Sequence, residues 1–118
     1  MKKVYLAGPM RGIADFNFPA FKRAAADLRS QGYTVFNPAE ADERRHGPGV
    51  GQNNPQGSVE LAEAQHGFCL REALAHDLDW ICTFADAIAL LPGWQNSKGA
   101  TAERAVAEAL GLEIWEVV

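Results

Sequence analysis

The sequence predicts a small α/β domain: a parallel four-stranded sheet of strand order 2-1-3-4, flavodoxin- or Rossmann-like, with helices on both faces in a three-layer sandwich. Three observations carry this. Short apolar runs alternate with segments of helical periodicity, in the order β-α-β-(loop, α)-β-α-β. The apolar runs read as strands buried on both faces, which parallel sheets require. Right-handed crossovers leave few topologies for four such strands. A chain of 118 residues suits one domain, 1–118, and a core of that size buries roughly 65 % of the unfolded surface without any staple.

Each element has its own signal. "KVYLA", Lys3 to Ala7, is a short apolar run, and "GPMRG" follows as a turn. Asn17 reads as an N-cap with Pro19 in the first helical turn. Phe18, Phe21, Ala25 and Leu28 then fall at helical spacing, and Gly32 fits the position just past the helix. "YTVFNP" is the second strand, ended by Pro38. The segment 39–67 is rich in Gly, Pro, Asn and charge and is too long for an ordinary connection. It reads as a long loop or lid insertion with at most a short helix. Phe68 to Thr83 is helical, with Leu70, Leu74, Leu78 and Ile81 on one face. "DAIALLP" is the third strand, a helix ending at Gly111 comes next, and "EIWEVV" is the last strand.

Composition narrows the partners. The formal net charge of −4 disfavours a nucleic-acid polymer or an anionic membrane, but leaves room for a small phosphorylated ligand in a local positive pocket. No segment approaches the ~20 apolar residues of a membrane span, and Gly8 and Pro9 interrupt the N-terminal apolar run before it makes a leader. Cys69 and Cys82 match no zinc or redox spacing and are expected as buried free thiols, in keeping with a cytoplasmic protein. His46, His66 and His76 share no metal-type spacing, so neither metal nor cofactor is expected.

Chemistry belongs outside the carboxyl ends of the strands, at the switch point between the first and third strands. "GPMRG" and "GWQNSKGATAE" lie there. Both contain glycine and lead to a helix N-terminus, where free N–H groups and the helix dipole attract anions. Arg11 and Lys98 add positive charge. Neither stretch is a GxGxxG fingerprint or a P-loop. Glu103 is either a carboxylate favoured by the dipole or one that faces the crevice and acts on a sugar carbon. Asp77, in "AHDLDWI", is a second carboxylate or a solvated helix charge, with Asp79 its competitor. Asp86 suits the turn leading into the third strand. Tyr5 needs a partner for its hydroxyl, either backbone or the carboxylate. Trp94 caps the core edge or walls an aromatic base, whereas Trp80 and Trp115 read as packing.

"VYLAGPMRG", "DLDWI…ADAIALL" and the S-x-G-x-x-x-E of "SKGATAE" together resemble the nucleoside 2-deoxyribosyltransferase superfamily. Within it the chain is most similar to the 2′-deoxynucleoside 5′-monophosphate N-hydrolase branch and to small phage and prophage relatives. The resemblance covers the first strand with its turn and the chain from about Asp77 onward. It implies that Glu103 is the nucleophile on the anomeric carbon, that Asp77 helps substrate positioning or base departure, and that Tyr5 orients the glutamate. It further implies that Ser97 and Gly99 form the turn receiving a 5′-phosphate, and that Gly8 and Arg11 complete the pocket. Trp94 and Asn96 join the substrate-binding set, and a homodimer or larger homo-oligomer is implied. The expected activity is hydrolysis or transfer at the N-glycosidic bond of a deoxynucleotide. Asn96, where the transferases carry an acidic residue, leans away from free nucleosides. The alternatives are an N-glycosidase acting on a ribosyl nucleotide or NAD, and a nucleotide-binding module without catalysis.

Overall fold

The computed structural model describes residues 2–117. Four parallel strands, β1 (Lys3–Ala7), β2 (Thr34–Phe36), β3 (Ala87–Leu90) and β4 (Glu113–Glu116), lie in the order β2-β1-β3-β4. Five helices surround them: α1 (Phe18–Ser30), α2 (Pro38–His46), α3 (Val59–His66), α4 (Leu70–Phe84) and α5 (Lys98–Ala109). The expected α/β architecture and strand order are therefore present. Register is fixed by Tyr5, which pairs with Phe36 on one side and Ile88 on the other. Two apolar clusters result, one on each face of the sheet: Val4, Leu6, Phe18, Phe21 and Ala89 in one, Tyr5, Ile81, Ile88, Leu90 and Ala107 in the other.

Four expectations need correction. Segment 39–67 is not a long loop. It holds α2, a short 3-10 turn at Pro48–Gly51, and α3. Both helices are polar, burying only Pro38, Ala39, Ala41 and Asp42 in one and Ala62 in the other, so they carry no apolar stripe to read. Their ends are held by caps. Asn37 accepts from the Ala39 amide at 3.0 Å and Ser58 from the Leu61 amide at 3.2 Å. The α4 face is also rotated. Its buried residues are Ala73, Asp77 and Ile81, at i, i+4 and i+8, while Leu74 and Leu78 flank them and Leu70 is exposed. Cys69 and Cys82 are exposed: Cys82 follows the inward-facing Ile81, and Cys69 lies just before the helix in extended backbone. Finally, Asn17 stands at the start of α1 but makes no side-chain cap; its amide donates to the Pro9 carbonyl at 3.1 Å.

The β1–α1 connection is unusual. Asp15, Phe16 and Asn17 follow one another with φ of 53°, 55° and 61°. Left-handed backbone costs a side-chain-bearing residue about 1–2 kcal/mol, so three in a row cost on the order of 3–6 kcal/mol. Contacts from the 54–58 segment offset it. The Asp15 amide donates to the Asn54 carbonyl at 2.8 Å, the Asn54 amide donates to the Asp15 carboxylate at 2.9 Å, and the Gly12 amide donates to the Gly57 carbonyl at 3.0 Å. Gly57 (φ 59°) lies so close that a Cβ there would fall 2.3 Å from the Ile13 carbonyl oxygen.

Candidate active site

A cavity of about 190 Å³ opens at the carboxyl ends of β1, β2 and β3, the place that the strand order reserves for ligands. Its floor carries three carboxyl groups and one phenol. Tyr5 comes from β1, Asp42 from α2, Asp77 from α4 and Glu103 from α5. The helices deliver them in a common way. In α5 the buried stripe is Ala100, Glu103 and Ala107, and in α4 it is Ala73, Asp77 and Ile81. Small residues let each helix lie close to the sheet, and the acid in the middle of the stripe is carried inward with them.

The Tyr5 hydroxyl donates to Glu103 Oε2 at 2.6 Å. That bond settles which alternative holds for Tyr5: its partner is the carboxyl group, not backbone. Tyr5 itself is fully buried, stacked on Phe36 with ring centroids 5.4 Å apart. Glu103 is 6 % exposed and Asp77 8 %, so neither is a solvated helix charge. Asp79 is exposed, and Asp86 accepts from the Lys3 amide at 2.8 Å, as a turn residue does. Asp77 Oδ1 is buried and takes no hydrogen bond.

Burial and crowding set the charge state. Burial pushes Glu103 up to about 8, with the neighbouring Asp77 adding to the rise and the Tyr5 hydrogen bond opposing it. Burial raises Asp77 to about 6, opposed by Tyr5 and Arg45. Asp42 is raised to about 7 by burial and then by Asp77, with Arg45 opposing. Desolvation also lifts the Tyr5 phenol well above its ordinary range. Three acids in one low-dielectric cavity thus hold fewer than three negative charges at neutral pH. Such a cluster offers a proton donor and an ionised carboxylate side by side.

The rim has the opposite sign. Ser97, Lys98 and Gly99 at the start of α5, and Gly8 and Arg11 after β1, all line the cavity. Ser97 Oγ caps α5 by accepting from the Ala100 amide at 3.1 Å, which leaves the first amides of the helix without intrahelical partners. Gly8 is required by packing, since a Cβ there would sit 2.7 Å from Leu91 Cβ. The remaining wall is apolar, with Phe16, Phe68 and Leu74 prominent.

The structure gathers Tyr5, Gly8, Arg11, Asp77, Ser97, Gly99 and Glu103 around one cavity. It does not bring Trp94 or Asn96 there. Trp94 packs on the other side of the β3–α5 turn, beneath the Arg104 guanidinium at 5.2 Å, and Asn96 is exposed. Sequence reasoning missed Asp42, because it lies in the segment read as a loop. The available signal was Asn37-Pro38, an N-cap followed by proline at the first helical position, which starts a helix whose inner face includes residue 42. Among the described residues, no group of three or more His, Cys, Asp or Glu side chains is arranged to hold a metal ion, and no helix is long and apolar enough to cross a membrane.

Fold and cavity together define an α/β protein with a carboxyl-floored, cation-rimmed pocket at its topological switch point. The chain belongs to the family described as "Domain of unknown function (DUF4406)", whose model matches residues 2–116. No curated protein matches it.

Proposed function

We propose that this protein cleaves the N-glycosidic bond of a 2′-deoxynucleoside 5′-monophosphate, with Glu103 as nucleophile and water or a second base as acceptor. One observation carries the reading: the buried Glu103 carboxyl, oriented by the Tyr5 hydroxyl at 2.6 Å, on the floor of a cavity whose rim is an anion-attracting helix start flanked by Arg11 and Lys98. A phosphate at that rim fixes the sugar and turns the attack into a positioned, unimolecular event.

In this reading the bound substrate leaves the proton shared by the cluster on Asp77 and Glu103 ionised, and Glu103 attacks the anomeric carbon as the bond to the base breaks. The electron pair leaves with the base, which takes a proton from a neighbouring carboxylic acid, Asp77 by preference. Water then attacks the same carbon, frees Glu103, and returns its proton to the acid. Positive charge developing on the sugar is stabilised by the carboxylate beneath it, as in retaining glycosidases. A homodimer belongs to the same proposal, with a second copy covering the exposed Leu70 at the cavity wall. A monomeric mass with full activity overturns that part.

The test is incubation with the four deoxynucleoside 5′-monophosphates and their ribo counterparts, read by chromatography for free base, with Glu103→Gln in parallel. Base released only from deoxynucleotides, and only with Glu103 present, supports the proposal. Release from a ribonucleotide or NAD keeps the mechanism and changes the substrate. Binding without release, unaffected by Glu103→Gln, favours a nucleotide-binding module.

A further inference from the structure

Asp42 has no role in the chemistry above, yet it is 6 % exposed and lines the same cavity. We infer that Asp42 is a specificity-determining residue, which reads the edge of the leaving base and selects one bearing an exocyclic amino group. This rests on the reading of the cavity as a deoxynucleotide site.

The strand order supplies the direction. The anion-attracting turn follows β3, Asp42 follows β2, and β1 lies between them. The carboxyl ends of β2 and β3 are therefore two strand spacings apart, about 10 Å. With a phosphate at Ser97–Gly99 and the sugar over Glu103, the remaining group of the ligand runs toward α2. The walls there suit a flat ring. Phe16 and Phe68 lie with centroids 6.0 Å apart and planes inclined by 29°, and Leu74 is beside them.

The acidic groups that line the cavity at that end are Asp42 and Asp77. Arg45 engages Asp42 through Oδ1, one of its two carboxyl oxygens, at 2.9 Å. Asp77 Oδ1 is buried and without a hydrogen-bond partner. Both are carboxyl groups, and an ionised carboxylate only accepts. An exocyclic amine on the base donates to it. A carbonyl at the same position sets lone pair against lone pair in a buried site, which is costly. A protonated partner in the cluster supplies the donor for the adjacent ring nitrogen. The ligand class is thus a nucleotide whose base carries an amino group next to a ring-nitrogen acceptor, as cytosine and adenine do.

Matched pairs isolate that one group: dCMP against dUMP, and dAMP against dIMP. Calorimetric binding at about pH 6.5, where the Asp42–Asp77 pair still holds a proton, to Glu103→Gln, which removes the nucleophile, reads recognition apart from turnover. The amino member of each pair is expected to bind about tenfold tighter or more. In the Glu103→Gln/Asp42→Asn double variant that ratio should fall to within about twofold, because an amide can present either a donor or an acceptor. Asn keeps an oxygen for Arg45, and Asp42→Ser serves as a second variant if the first folds poorly. Equal binding within each pair, a preference that survives both substitutions, or no binding at all overturns the inference. Wild-type turnover separates the two claims. Selective binding without base release sinks only the catalytic reading, whereas cytosine and uracil released at equal efficiency sink only the role of Asp42.

Discussion

The two loops that wall the cavity are built by opposite means. The β3–α5 turn is local: Gly93 starts it, Ser97 caps the helix it leads into, and its bonds span a few residues. The β1–α1 turn is imposed from outside. Three consecutive left-handed residues are held by Asn54 and Gly57, some forty positions away in the chain. One wall relaxes into its shape. The other is kept in a costly shape that puts Phe16 into the cavity, and strain held in that manner clusters at functional sites.

Substitutions can break this contrast. Gly57→Ala is expected to have the largest effect, because it adds a Cβ 2.3 Å from the Ile13 carbonyl oxygen at a positive φ. Thermal and denaturant unfolding should show a loss of about 3 kcal/mol or more. A loss below 1 kcal/mol means that the clamp yields freely and the turn is not imposed.

The floor between the walls sets the pH response. Asp42, Asp77 and Glu103 all have folded-state values raised above those of an unfolded chain. The folded protein then holds more protons than the unfolded one. Stability is complete below the unfolded value of about 4 and declines as pH rises toward about 8. Glu103→Gln, which cannot ionise, should flatten that decline and raise Tm at pH 8 by about 5 °C or more, with little change at pH 4. Melting curves of both proteins across that range decide it, and identical slopes refute it.

Asn54→Ala is next. It removes the amide that donates to the Ser58 carbonyl at 2.9 Å and the oxygen that accepts from the Ser58 amide at 2.8 Å, and should cost about 1–3 kcal/mol in the same unfolding assay. Ser97→Ala, its counterpart on the local wall, removes one cap and should cost only about 1 kcal/mol. If Ser97→Ala proves the more damaging, the assignment of strain to the β1–α1 side is wrong. Gly99→Ala should be the mildest, stabilising by up to about 1 kcal/mol. A Cβ there meets only Ser97 Oγ, at 3.9 Å. Its expected cost is in nucleotide affinity, measured by calorimetry, where a phosphate approaching the helix start meets the added methyl.

The same contrast explains what the sequence discloses. Strands β1 and β3 are apolar runs, and α5 has a Ser cap and a periodic face, so these elements and Glu103 are legible from neighbours in the chain. The inward face of α4 was harder. Leu70, Leu74 and Leu78 suggest one stripe, but the sheet accepts Ala73 and Ile81 with Asp77 between them, since small residues fit the closer contact. Helices α2 and α3 are polar and short, supported by caps, with α2 packed on α1 and both packed on the Pro48–Gly51 turn, so neither declares itself by period. Asp42 was lost with them. The left-handed backbone of Asp15–Asn17 has no local signature at all, because its cause lies at Asn54 and Gly57.

The clamp also orders events in time. While the chain is unfolded, Asp15, Phe16 and Asn17 have no reason to leave ordinary backbone basins, and the partner that compels them lies far along the chain. Sheet pairing between β1 and β3 and the capping of α5 need nothing from residues 54–58. Docking of that segment onto an otherwise assembled sheet is the expected last step in finishing the cavity. Amide exchange should find the two sides unequal, with the Asp15 and Gly12 amides opening before those of β1, although they lie in the same wall.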